Sequence, residues 1–380
     1  MLRRATQVRS ELARRCWGGL LPPTPRIQRV PAAWSGGGAQ VFALRDDDTG
    51  ALSNGGKRRK HASLLHALRE HGCTDAVILA GRNSFNAAAI GPVLVERGVR
   101  PWLVEPLPAT SSEPAPQTLM RLATLAVFPE PQRLAVEWDG LAAPWLPSFQ
   151  AIQHATGDWA TDGWHQHSQA RAAVGIARKL LGRGRTPAVV PEGACCAEAV
   201  AGAATLGADV AISIAREAAQ SELPVTVVLD AGTGLSAAAA VAGLEACLLE
   251  NDSQWVSAAA VVDLTGIGAK GHWDVLLGLA RKEVAAALGV ETVRELQCDL
   301  VRPATARSFG AVNSTLREEL LRAASLAGLV VDPVYGAKML HTVRHQVLPS
   351  VHSGSVVAVM SGGAHGLGGW AQWASKGLRA

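Results

Sequence analysis

The stretch Val225-Thr226-Val227-Val228-Leu229-Asp230-Ala231-Gly232-Thr233-Gly234-Leu235-Ser236, running on into Ala237-Ala238-Ala239-Ala240, decides how this chain is read. A β-branched apolar run is the pattern of a strand buried on both faces, and here it passes through a Gly-Thr-Gly turn straight into an Ala-rich helix. Such a turn gathers backbone N–H groups at a helix N-terminus, and the hydroxyls of Thr233 and Ser236 add further donors. The simplest ligand for it is a phosphate. The turn has neither the lysine and spacing of a Walker loop nor the third glycine of a dinucleotide fingerprint. The acidic residue that a nicotinamide-binding fold places after its second strand is also missing, so a dehydrogenase is set aside.

Upstream, Gly55-Gly56-Lys57-Arg58-Arg59-Lys60 follows a short apolar strand and an acidic turn, and it precedes an amphipathic helix with Leu64, Leu65 and Leu68 on one face. Two glycines let a ligand or the backbone come close. Like charges on Arg58, Arg59 and Lys60 favour the neutral, nucleophilic form of Lys57. The alternative is a solvated basic run at a helix start, where cations are slightly unfavourable. Lys179, Lys270, Lys282 and Lys376 lie in charged or helical surroundings, and Lys338 does not stand before a helix, which leaves Lys57 as the candidate nucleophile. A lysine able to form a Schiff base, paired with a phosphate cup, is what pyridoxal 5'-phosphate requires.

At 380 residues the chain exceeds one ordinary core, so two domains are expected. Apolar runs alternate with Ala-rich helical stretches, the signature of α/β layering on largely parallel sheets. Strands are expected at Val41–Leu44, Ala76–Leu79, Trp102–Glu105, Ala188–Val190, Val225–Leu229, Ala259–Val262 and Val356–Met360, with helices over Ala197–Ala219, Ser236–Leu249 and Leu316–Ala327. Between Pro106 and Gly182 the texture turns Pro-rich, with scattered Trp, as in a smaller domain or an active-site border. The expected fold class is α/β, with two three-layer αβα domains: residues 1–59 plus 186–380 form a large, discontinuous domain and 60–185 a smaller one.

Composition narrows the function classes. With 48% hydrophobic and 18% charged residues the chain reads as a compact soluble protein, and no uninterrupted apolar run reaches the roughly 18 to 20 residues of a membrane span. A net charge of +4 without a basic stripe gives nucleic-acid binding no support. Cys16, Cys73, Cys195, Cys196, Cys247 and Cys298 contain no CxxC pair, as expected of reduced, buried thiols. His154, His165 and His167 lack a matching Cys or carboxylate spacing, so no metal site is expected. Arg3, Arg4, Arg9, Arg14 and Arg15, with Glu11 as the lone acid, suit an organelle transit segment or an amphipathic first helix. The helix, and with it a cytoplasmic location, is the preferred expectation.

Several motifs, in consistent order from Pro23-Thr24-Pro25 to about Trp370, resemble the family of 1-aminocyclopropane-1-carboxylate deaminase and D-cysteine desulfhydrase, pyridoxal-phosphate enzymes of the tryptophan-synthase-β-like fold type II. Arg45-Asp46-Asp47-Asp48-Thr49-Gly50 and Gly55-Gly56-Lys57-Arg58-Arg59-Lys60 resemble the family's Arg-Asp-Asp, Thr-Gly and Gly-Asn-Lys-x-Arg-Lys. Lys57 thus falls on the Schiff-base lysine. Ala80-Gly81-Arg82-Asn83-Ser84-Phe85-Asn86 resembles Gly-Gly-x-Gln-Ser-Asn, and Asp332-Pro333-Val334-Tyr335-Gly336-Ala337-Lys338 resembles Asp-Pro-Val-Tyr-x-Gly-Lys. Ser361-Gly362-Gly363 resembles the His-Thr-Gly-Gly turn that meets the pyridine nitrogen.

The resemblance implies a site. Lys57, Ser84 and Tyr335 would be catalytic, with Ser84 and the backbone at Asn83 receiving the substrate carboxylate. Gly232, Thr233, Gly234, Leu235 and Ser236 would hold the phosphate, Phe85 or Asn86 would replace the asparagine that meets the phenolic oxygen, and Ser361 would face the pyridine nitrogen. A neutral Ser361 would leave that nitrogen unprotonated and favour elimination. The implied activity is that of a lyase or deaminase on a small amino acid, most simply D-cysteine desulfhydrase-like β-elimination to pyruvate, ammonia and sulfide, in a homodimer; the composition adds the expectation of no nucleic-acid or membrane partner. Departures keep alternatives open: Gly56 replaces an Asn, Phe309 stands where a tyrosine often sits, and Gly336 replaces the Glu of ring-opening deaminases or the Thr of desulfhydrases. The alternatives are ring opening of 1-aminocyclopropane-1-carboxylate, or a cofactor-binding regulatory protein without turnover.

Overall fold

The computed structural model describes residues 1–49, 55–82, 84–107, 123–138, 167–217, 224–248, 255–268, 271–291, 294–351 and 354–362. In chain order the elements are α1 (Leu2–Ala13), β1 (Arg26–Val30), α2 (Ala32–Ser35), β2 (Gln40–Arg45), α3 (Gly55–Glu70), β3 (Asp75–Leu79), α4 (Phe85–Glu96), β4 (Arg100–Pro106), β5 (Arg133–Val136), α5 (Ser168–Leu181), β6 (Pro187–Val190) and α6 (Val200–Glu217). There follow β7 (Val225–Ala231), α7 (Leu235–Cys247), β8 (Val256–Asp263), α8 (His272–Leu288), β9 (Cys298–Val301), α9 (Ser314–Ala327), α10 (Gly336–Thr342) and β10 (Ser355–Met360).

Two sheets result. The larger has six strands in the order β1-β2-β10-β7-β8-β9, parallel except for β1 against β2. The smaller is the all-parallel β5-β4-β3-β6. Strands β3, β6 and β10 are buried at every position, as parallel strands covered on both faces must be. One core cluster joins α1, α3, α6, α7 and α8 to the sheets, and a second fills the other face of the larger sheet under α9 and α10. The smaller sheet takes its fourth strand from β6, paired Asp75↔Pro187 to Ile78↔Val190. That strand lies beyond residue 185, where the expected small domain ended, because its four residues complete the sheet that β3 opens.

Segment 197–217 is, among the described residues, the one helical stretch long and apolar enough to cross a membrane, which the search for unbroken apolar runs passed over. Here it is a core helix, contacting α1, α3, α7 and α8. Helix α1 buries Ala5, Val8 and Leu12 against the molecule, while Arg9 ion-pairs with Asp209 of α6 at 2.6 Å. All six cysteines are free, and five are buried.

The topology dictates where a ligand can sit. Strand β10, last in sequence among the described residues, lies between β2 and β7, so the chain order reverses there. Ligands of open parallel sheets bind outside the carboxyl ends of the strands at such a switch point.

Candidate active site

Three strand ends converge at that point: β2 leads into the turn Asp46–Thr49, β7 into Gly232-Thr233-Gly234 and β10 into Ser361. Helix α3 begins between them, and glycine is required at its first residue. Gly55 has φ +51°, and a Cβ there would fall 1.8 Å from the Ser361 carbonyl oxygen. Gly56 donates its N–H to that same oxygen at 3.2 Å. The close approach is therefore of backbone on backbone.

The basic run divides its labour. Arg59 is fully buried; it donates to Asp46 at 2.7 to 3.1 Å and to Thr205 and Asp209 of α6 at 2.8 and 2.7 Å. Arg58 donates to the carbonyls of Leu20 and Thr49. Lys60 Nζ donates to the Gly193 carbonyl at 2.6 Å, and burial pushes its amine down to about 8. Lys57 Nζ instead stands 5.4 Å from the centre of the Tyr335 ring and 5.7 Å from that of Phe85. Its amine is lowered by burial, with Asp230 and Asp332 pulling the other way. This replaces the expected cause: the neighbouring cations are occupied elsewhere, and removal from water does the work. Lys338 lies within α10, not outside a helix, and donates to the Ser308 carbonyl at 2.8 Å.

Lys57 opens into a cavity of about 430 Å³ lined also by Ser84, Asn86, Gly232, Thr233, Gly234, Ser236, Tyr335 and Ser361. Nine of the ten expected site residues thus line one space. Leu235 does not: its side chain is fully buried in the core, and its N–H faces the Cys195 sulfur. Asn83 and Gly363 lie outside the described residues. Ser84 caps α4, its Oγ accepting from Ala87 N at 3.2 Å, which leaves its hydroxyl hydrogen available to an anion. Asn86 Oδ1 takes a bond of 3.1 Å from His61 Nε2. Burial pushes His61 down to about 3, so it is neutral. Asn86 Nδ2, buried, has no hydrogen-bond partner, so Asn86 and not the ring of Phe85 offers a polar donor.

Tyr335 is positioned by Asp332, whose carboxylate accepts from the backbone N–H groups of Val334, Tyr335 and Gly336 at 2.8 to 3.1 Å. Burial and the neighbouring carboxylates raise its phenol strongly, so it is a protonated acid. Phe309, 52% exposed, meets its ring edge-on at 5.8 Å.

The sequence reading missed Asp230, Thr265 and Glu192, which also line the cavity. Thr265 donates to the Gly232 carbonyl at 2.7 Å, pinning the turn. Asp230 shares the cavity wall with Ser361, and burial pushes its carboxyl up to about 6. The neutral hydroxyl of Ser361 thus has a titratable carboxyl as its neighbour on the cavity wall. An Asp closing a buried strand just before a glycine turn was the available signal.

No protein-family model and no curated protein matches the chain by sequence. Solved structures do match over nearly their whole length. An ACC deaminase homologue superposes with a TM-score of 0.70 at 20% identity, over 97% of this chain and 98% of its own. Maize serine racemase gives 0.53 at 14%, over 99% and 97%, and threonine deaminase isoform 2 from Solanum lycopersicum gives 0.54 at 12%, over 94% and 84%. The chain therefore has the α/β architecture that these structures share, the tryptophan-synthase-β-like fold type II.

Proposed function

We propose that this protein is a pyridoxal 5'-phosphate-dependent lyase or deaminase of small amino acids, with D-cysteine-type β-elimination to pyruvate, ammonia and sulfide as its reaction. One observation carries the reading. The Lys57 amine and the Gly232–Ser236 turn open into a single cavity whose wall also holds an orphaned donor, Asn86 Nδ2, and an orphaned acceptor, Asp230 Oδ1. The cofactor's anionic tail, phenolic oxygen and ring nitrogen each find a counterpart in that set. The fold shared with an ACC deaminase homologue and a threonine deaminase supports the same class.

When bound, the cofactor withdraws electrons from the α-carbon of the amino acid. The protein does the rest. The backbone N–H groups of the Gly232–Gly234 turn and the Ser236 hydroxyl would grip the phosphate, while Asn86 Nδ2 would donate to the phenolic oxygen. Ser84 directs its hydroxyl hydrogen at the substrate carboxylate. The Lys57 amine, its proton affinity lowered by burial and the Phe85 and Tyr335 rings close by, would be the attachment point and then the base that takes the α-proton at Nζ. The Tyr335 phenol, kept protonated, donates to the departing sulfur. Gly336 favours elimination over ring opening, because a Cβ there would stand 2.7 Å from Val331 Cβ and leave no room for a Glu.

The test is a panel of D-cysteine, L-cysteine, D-serine and 1-aminocyclopropane-1-carboxylate, read by oxo-acid and sulfide release from cofactor-loaded protein. Pyruvate with sulfide from D-cysteine is expected. Bound cofactor with no product from any of the four would instead mark a binding protein without turnover, and no bound cofactor would refute the reading altogether.

A further inference from the structure

Asp230 is the one carboxylate of the cavity that closes a central strand of the larger sheet. It is 8% exposed, and its Oδ1 has no hydrogen-bond partner. Leaving such an acceptor unpaired in a buried site is costly, and a structure that retains one marks a place where a ligand atom completes it. Its neighbours say which atom. Ser361, at the end of the adjoining strand β10, shares the cavity wall with Asp230, and its hydroxyl favours the charged form of that carboxylate. A serine hydroxyl has one hydrogen; with that hydrogen turned toward Asp230, Ser361 would face the cavity as an acceptor only. Two acceptors side by side do not suit a bare ring nitrogen, which itself accepts. They suit a nitrogen that carries a hydrogen.

We propose, resting on the cofactor reading above, that Asp230 and Ser361 together hold the ring nitrogen of bound pyridoxal phosphate in its protonated, cationic form. The charges around Asp230 agree. Lys57 faces it from α3, Asp332 and Tyr335 from the turn into α10, and Ser361 from the end of β10. Two carboxylates against one depressed amine make the surroundings of Asp230 receptive to a cation, while the Gly232–Gly234 turn would receive the phosphate. Burial raises the Asp230 carboxyl, and a cationic partner would bring it down again. The consequence is chemical. A protonated ring nitrogen accepts more electron density from the α-carbon, so the site is equipped to stabilise a developing carbanion and not only to expel a leaving group.

The holoenzyme loaded with cofactor labelled with ¹⁵N at the ring nitrogen reads the proton directly by NMR, with free cofactor at low and high pH as the two reference positions. At neutral pH the wild-type signal is expected at the protonated position. Asp230→Asn should move it to the unprotonated one, whereas Ser361→Ala, which leaves the carboxylate in place, should not. A wild-type signal at the unprotonated position overturns the proposal whatever the variants do, as does an Asp230→Asn signal that stays protonated. Retention of label by the wild type separates this test from that of the cofactor reading: protein that keeps no label refutes both, and protein that keeps label with a bare nitrogen refutes only the role of Asp230.

Discussion

The amine of Lys57 lies 5.4 Å from the centre of the Tyr335 ring, with no hydrogen bond or ion pair to it among the described residues, whereas Lys60, one helical turn on, is tied to the Gly193 carbonyl. Of the two lysines lining the cavity, only the first is at liberty to react.

Replacing Lys57 by Ala should therefore abolish the visible absorbance of protein mixed with pyridoxal phosphate and lower oxo-acid production by at least about 10³-fold. Lys60→Ala should keep the absorbance. Spectra of the two variants, taken side by side, decide whether the free amine is the reactive one.

Tyr335→Phe keeps the ring over Lys57 and removes only the hydroxyl. Cofactor absorbance should persist while kcat falls about 10²- to 10⁴-fold, the range of a lost general acid. Because the phenol of Tyr335 is raised well above its ordinary value, no ionisation of this group should appear in the wild-type rate profile near neutral pH. An unchanged kcat would remove Tyr335 from the mechanism.

Asp230 predicts a pH-dependent penalty in the cofactor-free protein. Its carboxyl titrates at 3.8 when unfolded and at about 6 when folded, so between those values the folded state holds a proton that the unfolded state has lost. Stability falls as pH rises through that window, by roughly 3 kcal/mol in all at about 1.36 kcal/mol per unit. Apo Asp230→Asn should exceed apo wild type in urea midpoint at pH values well above 6, with the gap closing toward 3.8.

Arg59→Met should be among the most damaging single changes. It strands the fully buried carboxylate of Asp46 and leaves that of Asp209 to Arg9 and Thr24 alone, at a cost of about 3 to 5 kcal/mol. Lys in its place cannot reach both acids in a planar fork and should rescue little. Urea denaturation followed by circular dichroism measures the loss; a drop below about 1 kcal/mol would contradict the clamp.

Much of this was legible in the sequence, and the parts that were not share a cause. Strands β3, β7, β8 and β10 announce themselves because each carries a run of consecutive buried apolar residues, the polar ones standing mainly near the strand ends. The edge strands β1, β5 and β9 do not, since partial exposure fills them with Arg, Gln and Asp and erases the pattern. Thr24, Asp46 and Arg59, which carry a family resemblance as motifs, turn out to form one buried network with Asp209, bonding it or each other at 2.7 to 3.1 Å. They hold the helix that bears Lys57, a role no spacing reveals. Asp230 escaped notice because its significance lies in the hydroxyl of a residue 131 positions later, Ser361.

The central placement of β10 governs when the protein becomes competent. Until residues 355–360 slot between their two neighbours, the sheet has a gap in its middle, the carbonyl that receives Gly56 is absent, and the carboxylate on β7 has no hydroxyl beside it. A nascent chain emerging from the ribosome can thus fold most of its layers and still have no cup to fill. Acquisition of the cofactor would in that sense report that β10 is in place.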